Sequence, residues 1–174
     1  MIVKTHETSK VTLNFMEGGN SSARPLLLLH GGSSRWQSFE GLILDLSGEF
    51  HLYALDLRGH GLSGRASSPS GYVMEEYLAD VIDFIRQIIK RPPIIFGHSL
   101  GGMIALMAGA SYPALVSAII VGDSPLSIDV LKSHTELQWK MTERWRQVAG
   151  SGTVQDIIFE LQHMLIPTPG RADA

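Results

Sequence analysis

The stretch PPIIFGHSLGGMIALMAG, Pro92 to Gly109, sets an apolar run against a helical pattern and places Gly97-His98-Ser99-Leu100-Gly101 at the junction. The chemical question is whether Ser99 is a nucleophile and, if it is, which residues act with it. A serine attacks a carbonyl usefully only when it is exposed, has a base beside it and faces donors that hold the developing oxyanion. Gly97 and Gly101 let the backbone turn sharply from strand to helix, with the serine strained at the apex. The following helix directs its N-terminus at that apex and places the Leu100 N–H to donate to an oxyanion. An ordinary βα turn carries the same five residues. The buried strand before them and the buried helix after them favour the nucleophile.

Outward from this junction, strand-like and helix-like runs alternate, which predicts an α/β class with a mostly parallel sheet and helices on both faces. Val11 to Met16 alternates and pairs antiparallel with the first few residues, while Glu17 to Asn20 reads as a turn. Pro25 to Leu29 reads as the first fully buried strand, Trp36 to Leu46 as a helix and Phe50 to Leu55 as a strand. Between Tyr72 and Lys90, apolar residues at three- and four-residue spacings predict an amphipathic helix. Ile94 to Phe96 is a buried strand, Leu100 to Ala110 a buried helix that Tyr112-Pro113 stops, and Ser117 to Val121 another buried strand. Beyond Pro125 only helical patterns appear.

Composition narrows the partners. The 174 residues are 44% hydrophobic, enough for one sizeable core. Fourteen Lys and Arg against 17 Asp and Glu leave a formal charge of -3 without a basic stripe, which argues against nucleic acid and for a small molecule. There is no Cys, so disulfides, thiolate nucleophiles and Cys-based zinc sites are excluded. No cofactor or metal is indicated. The N-terminus lacks the apolar core of a secretory signal and the longest aliphatic block is Leu26 to Leu29, so the expected compartment is the cytoplasm and no membrane span is expected.

A second motif supports the first. In Leu26-Leu27-Leu28-Leu29-His30-Gly31-Gly32-Ser33-Ser34, a strand runs into two glycines and exposes N–H groups at the carboxyl end of the sheet, where α/β sites lie. The Gly32 N–H is the candidate second oxyanion donor, with Ser33 as the alternative, and His30 is read as ordering the loop.

His30-Gly31-Gly32, then Leu55-Asp56-Leu57-Arg58-Gly59-His60-Gly61-Leu62-Ser63, then Gly97-His98-Ser99-Leu100-Gly101-Gly102 stand in the order and spacing of the α/β-hydrolase superfamily, which the chain resembles from residue 1 to about 125. The resemblance implies a serine hydrolase whose oxyanion hole comes from the turn after the third strand and the residue after the nucleophile. It implies that Arg58 and His60 belong to a structural loop near the site and that His98 is a packed or supporting side chain. Ser99 argues against resemblance to haloalkane dehalogenases and epoxide hydrolases, which carry Asp at that position. The glycines do not form the Gly-x-Gly-x-x-Gly turn of a dehydrogenase.

The rest of the triad departs from the family. Members place an acid after the seventh or sixth strand and a His after the eighth. Here Asp123 is the candidate acid, although family members commonly carry an Asp there that only orders the loop. His134 and His163 lie in helical segments. Residues 1–125 are therefore expected to be a hydrolase core and 126–174 a helical cap, with strands seven and eight absent and a second polypeptide or second copy covering the edge of the sixth strand. The favoured activity is hydrolysis of a small carboxylic ester through an acyl-enzyme on Ser99, by an incomplete chain. The alternatives are a non-catalytic binding or scaffold protein, an enzyme that recruits His134 or His163, and a lactone, thioester, amide or carbon–carbon bond hydrolase.

Overall fold

The structure, a computed structural model, describes residues 1–125 together with Thr153 and Gln155. Six strands form one sheet: β1 (Ile2–Glu7), β2 (Thr12–Gly19), β3 (Arg24–Leu29), β4 (Phe50–Leu55), β5 (Ile94–His98) and β6 (Ala118–Gly122). Their spatial order is β1-β2-β4-β3-β5-β6. The β1–β2 and β2–β4 pairs are antiparallel, while β3 lies parallel between β4 and β5, and β6 adds parallel to β5. Three helices, α1 (Glu40–Leu46), α2 (Met74–Phe84) and α3 (Leu100–Ser111), connect the strands.

Successive side chains of a strand point to opposite faces, so an all-apolar strand serves two cores at once. In β3, Leu27 and Leu29 join a cluster with Val81, Ile85, Ile104 and Ala108 of the α2 and α3 segments. Leu26 and Leu28 face the other way and pack with Trp36, Phe39 and Ile43 around α1. Each buried leucine contributes roughly 1.5–3 kcal/mol, which makes the Leu26–Leu29 block the hinge between the two layers.

Several boundaries differ from expectation. Glu17, Gly18 and Gly19 are not a turn: they extend β2 and pair with Tyr53, Leu52 and His51, because the long strand has β4 as a second partner. The chain reverses afterwards, where the Ala23 N–H donates to the Asn20 carbonyl. Trp36–Phe39 winds as a tight 3-10 turn before α1 begins. Tyr72 closes another short turn outside α2, and Ile85–Ile89 widens into a π turn that ends at Lys90 with φ 61°. β6 is not a buried strand: Ile120 is 50% exposed, and β6 pairs only with β5 among the described residues. Nor is α3 buried all round, since Leu106 faces solvent. The chain divides after Pro125, and the second unit, expected as a helical cap, lies outside the described residues apart from Thr153 and Gln155.

The loop after β4 is held by buried polar groups. Asp56 Oδ2 accepts from Asn14 Nδ2 at 2.8 Å and from the Leu62 N–H at 3.0 Å, while Oδ1 accepts from the Trp36 N–H at 2.7 Å. Arg58, 1% exposed, donates from Nε and Nη2 to the two oxygens of Asp80 on α2, both at 2.7 Å, and from Nη1 to the Gly71 carbonyl at 2.7 Å. The carboxylate at Asp80 holds the Arg58 guanidinium above its ordinary pKa. Removing one member of such a pair strands a buried charge. Arg58→Ala is therefore expected to lower the unfolding free energy by about 3–5 kcal/mol, read from the midpoint of urea denaturation; a loss under about 1 kcal/mol would show that the pair is not structural.

Candidate active site

Three segments converge where the parallel strands end: the turn after β3, the elbow after β5 and the loop after β6. Ser99 stands between β5 and α3 with φ 49° and ψ -113°. A left-handed conformation at a non-glycine residue costs on the order of 1–3 kcal/mol and persists only where the surroundings enforce it. Here they do. The Ser99 N–H donates to the Gly122 carbonyl at 3.0 Å, and the Gly101 N–H donates to the His30 carbonyl at 3.1 Å.

The glycines of the elbow are present because backbone lies where side chains would be. A Cβ on Gly97 would strike the Gly101 carbonyl, and one on Gly101 would strike the Leu29 carbonyl. Gly31 is as confined: its Cβ would lie 2.8 Å from His98 Nδ1 and 3.2 Å from Ser99 Cβ, so the turn after β3 abuts the serine. Gly32, by contrast, has open space around its Cβ position. What distinguishes Gly32 is therefore its backbone. The N–H groups of Gly32, Ser33 and Leu100 donate to no backbone carbonyl among the described residues.

His30 is fully buried, and its Nδ1 donates to the Gly31 carbonyl at 2.7 Å while Nε2 accepts the Leu57 N–H at 3.0 Å. Both ring nitrogens are thus occupied, and the imidazole ties the turn after β3 to the loop after β4. Burial holds its pKa below the ordinary imidazole value, against the opposing bond to Gly31. His60 lies over it, ring centroids 5.1 Å apart, with Nδ1 donating to the Arg58 carbonyl. His98 is exposed beside Gly31, not packed inside.

Asp123 follows β6 with φ 44°, exposed and without a hydrogen bond to any histidine among the described residues. No described histidine is bonded to Ser99, and His134 and His163 lie outside the described residues. Sequence reasoning passed over Ser124, whose Oγ donates to the Ser99 carbonyl at 2.9 Å. A hydroxyl beside a candidate acid gave no periodicity to flag it. Next to the turn after β3 opens a cleft of about 620 Å³ lined in part by Ser33, Ser34, Arg35 and His60. Arg35 is its one charged lining residue besides the titratable His60, and has no ion-pair partner among the described residues.

The sequence model of the alpha/beta hydrolase fold family matches residues 24–171. The chain belongs to that family. The 2-(acetamidomethylene)succinate hydrolase of Mesorhizobium japonicum is 37% identical over 118 residues, covering 67% of this chain and 41% of that protein. Epoxide hydrolase 4 of Mus musculus is 29% identical over 117 residues, covering 67% of this chain and 33% of that protein. A crystal structure of an alpha/beta hydrolase from Novosphingobium aromaticivorans DSM 12444 superposes with a TM-score of 0.64 at 28% identity, covering 69% of this chain and 43% of that one. The chain therefore spans less than half the length of each of these proteins. The likeness to an epoxide hydrolase corrects the expectation drawn from Ser99. The elbow residue speaks to chemistry, whereas similarity in the core speaks to shared fold, and the two need not travel together.

The buried neutral imidazole has a consequence for stability. Because the folded-state pKa of His30 lies below its unfolded value, the unfolded chain takes up the proton first as pH falls, and stability is lost on acidification below the unfolded value of about 6.5. The unfolding free energy of the wild type is expected to fall between pH 7 and 5 more steeply than that of His30→Asn, measured by urea denaturation at each pH. Equal slopes would show that His30 is not held neutral.

Proposed function

We propose that this hydrolase-family protein cleaves a small carboxylic ester through an acyl-enzyme on Ser99. The observation that carries the reading is the strained elbow: a serine at φ 49° abutting a turn whose Gly32 and Ser33 N–H groups, with that of Leu100, are unengaged by backbone carbonyls among the described residues. In this mechanism the Ser99 Oγ attacks the ester carbonyl, and the Leu100 and Gly32 N–H groups hold the tetrahedral oxyanion. The general base takes the Ser99 proton and delivers it to the departing alcohol on collapse, and it then deprotonates the water that releases the acid and returns the proton to Ser99. The general base comes from outside the described residues, and Asp123 remains the candidate acid. A cysteine-free chain doing this chemistry suits the cytoplasm.

The test uses the catalytically competent protein. Ser99→Ala is expected to abolish fluorophosphonate labelling and to lower kcat for 4-nitrophenyl acetate by several orders of magnitude without loss of folding. Gly32→Ala, for which there is room, keeps activity, whereas Gly32→Pro, which deletes the donor, loses on the order of 10²-fold in kcat. Full labelling of Ser99→Ala would overturn the nucleophile. Full turnover in a folded Gly32→Pro would move the donor to Ser33.

Arg35 favours a substrate bearing an anionic group, since its guanidinium has no ion-pair partner among the described residues and lines the cleft beside the candidate oxyanion turn. The relative named for a substituted succinate lends support. For 4-nitrophenyl hemisuccinate, Arg35→Gln is expected to raise KM roughly fivefold, the equivalent of an ion pair of about 1 kcal/mol, while KM for neutral 4-nitrophenyl butyrate stays unchanged. Equal effects on both esters would remove Arg35 from recognition.

A further inference from the structure

We infer that Ser124 is a positioning residue for the oxyanion donor, setting the direction in which the Leu100 N–H points. The Ser99 carbonyl and the Leu100 N–H belong to one planar trans peptide unit, so a bond that holds the oxygen also aims the hydrogen on the opposite side. Among the described residues the Ser99 oxygen accepts three donors: the Gly102 N–H at 3.0 Å, the Met103 N–H at 3.1 Å and Ser124 Oγ at 2.9 Å. The first two belong to α3 and move with it. Ser124 comes from a different element, the loop after β6, and refers the peptide to the sheet.

The same loop grips the nucleophile from both sides. The Ser99 N–H donates to the Gly122 carbonyl, and the Ser99 carbonyl accepts from Ser124, so residues 122–124 hold both peptide units that flank the strained serine. Asp123 takes its left-handed conformation between these two contacts. The second glycine after the elbow makes room: a Cβ on Gly102 would strike Ser124 Oγ and lie 3.0 Å from Ser124 Cβ. The 3.3 Å approach of Ser124 Oγ to the Gly122 carbonyl is the longer of its two acceptor contacts, so the hydroxyl hydrogen is directed mainly at Ser99. The side chain that bonds to the elbow from this loop is Ser124, the neighbour of Asp123.

This role rests on the reading of Ser99 as nucleophile and Leu100 as donor, and two measurements separate the layers. In the 174-residue chain labelled with ¹³C and ¹⁵N, Ser124→Ala is expected to shift the Ser99 carbonyl carbon and the Leu100 amide, leave Ile104 to Ala108 unmoved, and be reversed by Ser124→Thr. In the catalytically competent protein, Ser124→Ala is expected to lower kcat for 4-nitrophenyl acetate roughly tenfold with KM unchanged, because the oxyanion exists only in the transition state, and Ser124→Thr restores most of it. An unmoved Ser99 carbonyl overturns the link. A moved carbonyl with unchanged kcat overturns the positioning role alone. Unchanged kcat in Ser99→Ala, run in parallel, overturns the nucleophile reading on which the role depends.

Discussion

Helix α3 rests on backbone. Where Gly101 passes the end of β3, no Cβ can stand between the helix and the Leu29 carbonyl, and where Gly97 passes the first turn of α3 none can stand between strand and helix. This close approach forces the chain to turn within one residue, and that residue is Ser99. The Gly101 N–H to the His30 carbonyl then fastens the helix to the strand it overlies. Side chains at either glycine would lift α3, flatten the turn and withdraw the Leu100 N–H from the elbow. The candidate chemistry is thus a consequence of packing distance before it is a consequence of residue type.

Around that contact the protein uses buried polar groups to bring loops from distant parts of the sequence into one place. Asp56 gathers Asn14, Trp36 and Leu62; His30 gathers Leu57; Arg58 ties the same loop to α2 through Asp80. Buried polar groups of this kind are costly unless every partner is present, so they specify one arrangement of the loops. Ser63 completes the set, its Oγ donating to the Asp56 carbonyl and accepting the Asn14 N–H. The turn after β3 is held from beneath by His30 and, through the Trp36 N–H, from its far end by Asp56. A rigid turn with unengaged N–H groups is what an oxyanion site requires.

Membership of the alpha/beta hydrolase fold family accords with this arrangement of strands and helices. The fold alone does not choose among ester, epoxide and other hydrolyses, because the family hosts several chemistries on one core. The proposed choice rests on the side chain at the elbow and on the N–H groups of Gly32 and Leu100, with Arg35 lining a cleft next to the turn after β3.

Sequence by itself determined the alternation of elements, the two-faced β3, the elbow and the glycine turn, because each rests on local periodicity or on a residue with one conformational purpose. Phe50–Leu55 and the start of α3 fall where their apolar patterns place them. Only the tertiary structure decided the extension of β2 through Gly19, since a strand is as long as the partner it meets, and that partner, β4, lies more than thirty residues along. It likewise decided how far the side chains of β6 are exposed and that Ser124, beside Asp123, bonds to the elbow. Both depend on which segments become neighbours across the sheet, and hydrogen bonds between residues 25 positions apart leave no period in the chain to be read.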